Sequence, residues 1–241
     1  MIVIAAASLL ASANVAAQGA PPVAPPPGYP PPPPGYAAPP PSYPYGPPPT
    51  GYAAAAPAPG RHMHDGTYVR LFLGGGRIAM SESSGGNDLK ASGGGWSFGV
   101  AVGGAPVENL IIYGEFYFMN ADSPSLELNG TPGNANGYSL VEGGIGPGIA
   151  YYFQPVNIYL SGTIGVSKVQ FQDSNTQDVQ ASTKWGIGLS TMIGKEFWVS
   201  DNWGLGAALQ FHYGSMQDNT PTAPPTVHSN ALNLLFSATF N

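Results

Sequence analysis

The sequence predicts an all-β protein: an eight-stranded antiparallel up-and-down transmembrane β-barrel with an N-terminal disordered Pro-rich arm. Three observations carry this. Residues 202–213 alternate with a period of two, placing Trp203, Leu205, Ala207, Leu209, Phe211 and Tyr213 on one face and Asn202, Gly204, Gly206, Ala208, Gln210 and His212 on the other. A strand of about 12 residues is twice the usual globular length but suits a tilted strand crossing a bilayer. Only 8% of residues are charged, about a third of the usual share, and no apolar run is long enough for a membrane helix. A charge-poor chain without helical spans can cross lipid only as a closed barrel. Finally, the alternation recurs eight times after Gly66.

The elements follow in order. Residues 1–17 read as a signal peptide: Met1 to Leu10 is an apolar core too short to span, and Val15-Ala16-Ala17 is small enough for cleavage after Ala17. No Lys or Arg precedes Arg61, so a basic start is missing. Residues 18–65 form a Pro/Gly/Tyr-rich linker with an imperfect Pro-Gly-Tyr repeat ending at Tyr29, Tyr36 and Tyr52. Repeated Pro removes backbone donors and fixes φ, so polyproline II is accessible and a packed core is not. A semi-rigid spacer is the plain reading, and docking on a partner groove or on cell wall the sharper one. His62 and His64 are a weak metal-binding pair in the hinge.

Residues 66–241 form the barrel domain. Strands are expected near 67–79, 95–104, 109–120, 138–153, 156–170, 183–198, 202–214 and 229–240, separated by Gly, Asn, Asp, Ser and Pro. Breaks near Val107-Glu108, Gln154-Pro155 and Ser200-Asp201 are short. Those at 80–94, 121–137, 171–182 and 215–228 are long and polar. Short turns at one rim and long loops at the other are what transmembrane barrels show, and an even strand count puts both termini at the short-turn rim. The arm then lies in the periplasm.

One face of these strands is apolar, including Leu71, Leu73, Phe98, Val102, Ile112, Phe116, Val141, Ile145, Ile149, Leu160, Ile164, Ile187, Leu189, Ile193, Leu232, Leu234 and Phe236. The other holds Gly, Ser and Tyr together with the charges. A soluble lipocalin-like binder would turn the apolar face inward and expose the glycines, where they only weaken strands. A membrane barrel uses them to make room in a narrow lumen for Tyr113, Tyr117 and Tyr159. Aromatics collect near strand ends: Tyr151, Phe153, Phe197, Trp203 and Phe240 toward the short turns, Trp96, Phe118, Trp185 and Tyr213 toward the long loops. These are expected interfacial girdles.

Taken together, the signal peptide, the eight alternating strands, the turn from Lys195-Glu196-Phe197-Trp198 to Trp203-Gly204-Leu205-Gly206 and the terminal Leu234-Leu235-Phe236-Ser237-Ala238-Thr239-Phe240 resemble the small outer-membrane β-barrel families of Gram-negative bacteria, of the outer-membrane protein A and X type. The resemblance covers about residues 66–241. It implies residence in the bacterial outer membrane, contact with outer-membrane lipid and lipopolysaccharide, and recognition of the C-terminal strand by the barrel assembly machinery. In those families an aromatic usually ends the chain, whereas here Asn241 follows Phe240.

For chemistry, Arg70, Glu115, Glu142, Lys184, Gln210 and His212 are expected to form a polar network in the lumen, where unpaired charge is costly and pairing is required. A structural plug is the plain reading; a small-solute path past Tyr113, Tyr117 and Tyr159 is the alternative. His212, Ser215, Asp218 and His228 gather at one strand end, but no activated nucleophile is recognisable, so no catalytic residue, cofactor or metal is assigned. A net charge of -6 with seven basic residues excludes a nucleic-acid partner. The expected role is structural, envelope-anchoring or surface-interacting, the arm reaching cell wall or a periplasmic protein. A small-solute channel or transporter is the rival, ahead of a lipid-modifying enzyme.

Overall fold

The computed structural model describes residues 62–219 and 223–241. The signal peptide and all but the end of the Pro-rich linker lie outside the described residues. Eleven strands are present among those described: β1 (Gly66–Ser84), β2 (Asn87–Val107), β3 (Leu110–Asp122), β4 (Ser125–Leu128), β5 (Thr131–Asn134), β6 (Tyr138–Phe153), β7 (Ile158–Asp173), β8 (Val179–Ser182), β9 (Gly186–Trp198), β10 (Trp203–Gln217) and β11 (Thr226–Phe240). Eight of them, β1, β2, β3, β6, β7, β9, β10 and β11, pair antiparallel with their neighbours in the chain's order. Closure comes from β1 pairing β11 along the whole seam, from Val69 opposite Phe240 to Glu82 opposite Val227. No ring strand is left with an open edge, which satisfies the backbone where lipid offers no partners.

Period-two alternation decides what each face meets. Leu73, Ile112, Ile145, Ile164, Ile187 and Leu234 point outward and are each more than half exposed. Their inward neighbours Phe72, Ile111, Tyr113, Thr163 and Leu235 are buried. A continuous apolar belt of this kind is unsuited to water and matches lipid. Trp203 and Tyr213 face outward at the two ends of the belt on β10. At about 3.4 Å per residue and a tilt of about 45°, their separation corresponds to roughly 25 Å of membrane thickness.

Three expectations about the long loops are corrected. The polar stretch 80–94 is continuous strand: β1 and β2 run on past the belt to a tight hairpin, Ser84 opposite Asn87, with Gly85 and Gly86 at φ of 57° and 82°. Positive φ at both central residues is the twist-matched hairpin geometry that glycine allows. The stretch reads as loop because its outward side chains meet water there, while Ile78, Met80, Leu89 and Ala91 still alternate inward and are buried. The stretch 121–137 likewise holds the β4–β5 hairpin, whose β4 pairs the upper part of β2, and 171–182 holds β8, which pairs β7.

Two side chains lie elsewhere than expected. Lys184 is exposed and not in the lumen: the strand breaks between Thr183 and Gly186, so Thr183 points in and Lys184 and Trp185 both point out. A local irregularity of this kind re-aims side chains that a strict period of two would place inward. Val141, expected on the lipid face, is buried at 4% exposure. It stands opposite Asn120 at the top of β3, above the belt and beside the folded long loop.

Candidate functional site: a filled lumen and a long-loop rim

At the short-turn rim, the residues that precede β1 close the floor. His64 is fully buried, its ring stacked on Tyr152 at 3.5 Å between centroids, with Nε2 2.8 Å from Asn157 Oδ1. His62 stacks on Trp198 at 5.3 Å, and its N–H donates to the Asp201 carbonyl. The Asn109 N–H donates to the His64 carbonyl. Residues 62–64 thus touch all three short turns. Both histidines pack on the Trp198 ring, His64 at 4.9 Å, and no group of three metal-ligand side chains occurs among the described residues.

Above this floor Arg70 lies across the lumen. Its guanidinium is fully buried beside the rings of Tyr159 at 4.8 Å, Tyr113 at 5.6 Å and Tyr68 at 5.8 Å. Nη2 donates to Ser161 Oγ at 3.3 Å and lies 3.7 Å from Glu115 Oε2. Arginine suits this place because a planar, weakly hydrated cation can stack on rings while bonding in its plane. To one side, Glu196 accepts from Ser237 and Thr239 at 3.1 and 2.6 Å.

Next upward, Gln210 donates to Ser190 Oγ at 3.1 Å and accepts from Asn233 Nδ2 at 2.9 Å. In the layer above, His212 Nε2 meets Glu142 Oε1 at 2.7 Å, Ser229 Oγ donates to that same oxygen at 3.0 Å, and Tyr117 Oη lies 3.5 Å from His212 Nε2. Of the six residues expected in the lumen, Arg70, Glu115, Glu142, Gln210 and His212 are buried there, in three successive layers, and Lys184 is not. Period-two counting from Leu232 and Phe211 also places Ser229 and Asn233 inward; their partners are set by barrel curvature, which the sequence does not display.

This arrangement does not make a nucleophile. In a Ser-His-acid relay the imidazole stands between hydroxyl and carboxylate. Here the carboxylate stands between Ser229 and His212, so the imidazole is not placed to take the hydroxyl proton. The other candidates separate across the wall: His212 and Asp218 are buried, whereas His228 is exposed with Nδ1 3.0 Å from the Tyr213 hydroxyl.

Above the belt the interior becomes apolar, with Ile78, Met80, Leu89, Met119, Leu140, Phe171, Met216 and Val227 all buried. Within it lie two carboxyl groups that sequence reasoning missed in this role, Glu82 and Asp218, at 2% and 0% exposure. Burial, with Asp218 beside it, pushes the Glu82 carboxyl up to about 7. A raised folded-state value means that the folded rim binds a proton the open rim does not. Stability of the rim should therefore be greatest below the ordinary carboxyl value of 4.5 and decline as pH rises to about 7. Amide hydrogen exchange in β1 and β10 above the belt, corrected for intrinsic rate, should accelerate across that window in the wild type and be level in Glu82→Gln. An unchanged pH profile in that variant would refute the assignment.

The nine expected interfacial aromatics stand on the outer face. Trp96 packs on Phe118 at 5.2 Å, Trp203 on Phe240 at 5.5 Å and Tyr151 on Phe153 at 5.0 Å, while Phe197 lies under the Lys195 ammonium at 5.1 Å. Trp185 and Tyr213 are exposed near the long-loop end.

A closed eight-strand antiparallel ring, lipid-suited outside and polar within, defines a small integral membrane β-barrel of the outer-membrane type. No family model matches the chain, and no curated protein does. Among solved structures it is similar to Neisserial surface protein A, at 17% identity and a TM-score of 0.48 over 72% of this chain and 96% of that one. It is also similar to the outer membrane protein OprG from Pseudomonas aeruginosa, at 12% identity and a TM-score of 0.45 over 74% and 98%. A third is the outer membrane protease OmpT from Escherichia coli, at 10% identity and a TM-score of 0.37 over 73% and 97%.

Proposed function

We propose that this chain is a closed bacterial outer-membrane barrel whose work is done beyond the membrane. Its role is structural, envelope-anchoring or surface-interacting, without catalysis. The observation that carries the reading is how far the fold extends past its lipid belt. β1 and β2 continue well above Trp96, β4, β5 and β8 widen that extension, and an apolar interior packs beneath it. Crossing a bilayer requires none of this. A built, rigid surface above the long-loop rim is what recognition requires. At the opposite rim, docking of His62 and His64 on the short turns fixes where the Pro-rich arm departs, which suits a periplasmic tether to cell wall or to a periplasmic protein.

Pull-down from cell envelope with the full mature chain and with residues 18–61 removed separates the two ends. Loss of a cell-wall or periplasmic partner in the shortened form supports tethering, and unchanged capture assigns the interaction to the long-loop surface. A small-solute channel would need a path past Arg70 and the three tyrosine rings. Wild-type protein in planar bilayers is expected to be silent, and resolved conductance steps would replace this reading with the channel.

A further inference from the structure

Residues 62–65 lie between the arm and β1, outside the ladder of the ring, and yet His64 is as buried as the residues that fill the lumen. The strap they form is bounded by two left-handed residues, His62 at φ 57° and Gly66 at φ 91°. Glycine enters that region freely, and nothing stands within 4 Å of where a Gly66 side chain would begin, so Gly66 is an open hinge at the foot of β1. Histidine enters it at a cost that the contacts of the strap must offset. Those contacts are few. The two rings lie on Trp198 and Tyr152, His64 Nε2 donates to Asn157 Oδ1, and two backbone hydrogen bonds join the strap to the turns at Asn109 and Asp201.

The seat is incompletely satisfied. His64 Nδ1, Asn157 Nδ2 and Asn109 Oδ1 are buried without a hydrogen-bond partner among the described residues, and such atoms weaken the state that buries them. The acceptor that holds His64 also has a second donor: Gln154 Nε2 lies 3.5 Å from Asn157 Oδ1, against 2.8 Å for His64 Nε2. Gln154 is exposed on the same turn. When the imidazole leaves, water reaches the uncovered polar atoms and Gln154 closes on Asn157. One turn thus has two discrete arrangements, with the strap seated and without it.

What the strap covers is the foot of the lumen stack. His64 lies on Tyr152, Tyr152 meets Tyr68 hydroxyl to hydroxyl at 3.5 Å and Tyr159 ring to ring at 5.2 Å, and Tyr159 carries the Arg70 guanidinium. Lifting His64 uncovers Tyr152 from the short-turn side and leaves the eight-strand ladder and its belt untouched.

From this we infer that residues 62–65 are a releasable latch. Seated, they close the short-turn floor of the lumen; under load on the Pro-rich arm they swing out about Gly66 and open it. The direction of pull favours release, because the arm leaves from His62, the end of the strap away from the hinge. Force therefore peels His62 from Trp198 before it reaches His64, and meets no strand ladder until β1. The inference rests on reading the arm as a tether, which the pull-down described above tests by itself.

Single-molecule force spectroscopy on the full mature chain in a lipid bilayer, gripped at residue 18, reads the latch. Roughly 160 Å of arm straightens first, at about 3.6 Å per residue. One small event is then expected, adding roughly 15–20 Å for residues 62–66, at a force below that of the first strand extraction, and returning on relaxation. His64→Ala should abolish it. Asn157→Gly, which permits the left-handed backbone at φ 52° but loses the acceptor, should abolish it too. Gln154→Ala, which removes the alternative partner, should lengthen the seated lifetime, and Lys90→Gln at the opposite rim should change nothing. Without load, the Asn109 amide, which donates to the His64 carbonyl, should exchange about tenfold faster in His64→Ala, while belt amides of β1 and β10 keep their wild-type rates and show that the barrel is folded. Strand extraction as the first event, or an early event that survives in His64→Ala, overturns the latch. So does acceleration of the belt amides together with Asn109, which makes the strap a fixed part of the barrel core. An envelope partner captured through the arm with no early event refutes the latch alone. An early event in a chain whose arm captures no partner supports the latch and refutes the tether beneath it.

Discussion

Arg70→Met is expected to destabilise the barrel by about 3–5 kcal/mol, the range for removing one partner of a buried ion pair. Arg70 is the ion-pair partner of Glu115, at 3.7 Å, and Glu115 is 1% exposed. Methionine fills much of the same volume, so the loss reads electrostatics more than packing. It leaves the Glu115 carboxyl group in the middle of the lumen without its ion-pair partner, and leaves Tyr68, Tyr113 and Tyr159 without the cation they surround. Replacing the pair together, Arg70→Met with Glu115→Gln, should recover most of the loss, because no uncompensated charge remains. Urea unfolding from phospholipid vesicles, followed by tryptophan fluorescence, measures all three proteins. A single variant within 1 kcal/mol of wild type, or a double variant no better than the single, would show that the central pair is not what holds the lumen.

What was legible beforehand follows from which forces leave a local trace. Lipid outside and a lumen inside impose a period of two, and Trp203 to Tyr213 carries it so regularly that strand, faces and both girdle residues can be read directly. Closure, eight strands and the alternation of short and long connections follow by counting. Above the belt the same period persists, but the contrast fades, since outward Ser81 and Ser83 and inward Glu82 are all polar. The hairpin at Gly85-Gly86 therefore resembles a loop. Parity counts Lys184 inward, but the backbone drops its regular pairing between Thr183 and Gly186, and the side chain points out. Pairings across the lumen, such as Glu142 with Ser229, join residues 87 positions apart. They depend on barrel radius and strand stagger, quantities that no single strand encodes.

The glycines of the inner face carry the second large expected effect, because each is matched to one ring. Tyr113 on β3 stands beside Gly148 on β6, which stands beside Thr163 on β7. The Tyr113 ring lies over Gly148 so that its hydroxyl reaches Thr163 Oγ1 at 3.0 Å. A Cβ on Gly148 would run into that ring. The same lateral arrangement joins Tyr117 to Gly144, Tyr159 to Gly194 and Phe72 to Gly99, so small and large residues alternate around the wall and tile the lumen. Gly148→Val should therefore cost about 1–3 kcal/mol by overpacking, and Tyr113→Ala about 3–5 kcal/mol by leaving a void beside Arg70. Made together, the two changes exchange volume across one site, and the double variant should be more stable than the sum of the singles by at least about 1 kcal/mol. Additive losses in the same urea experiment would mean that ring and glycine are not coupled. Tyr113→Ala alone is also the variant most apt to open a path, because its ring is part of the layer that fills the cross-section with Arg70. Conductance that appears in Tyr113→Ala and disappears again with Gly148→Val would show that the lumen is closed by this tiling.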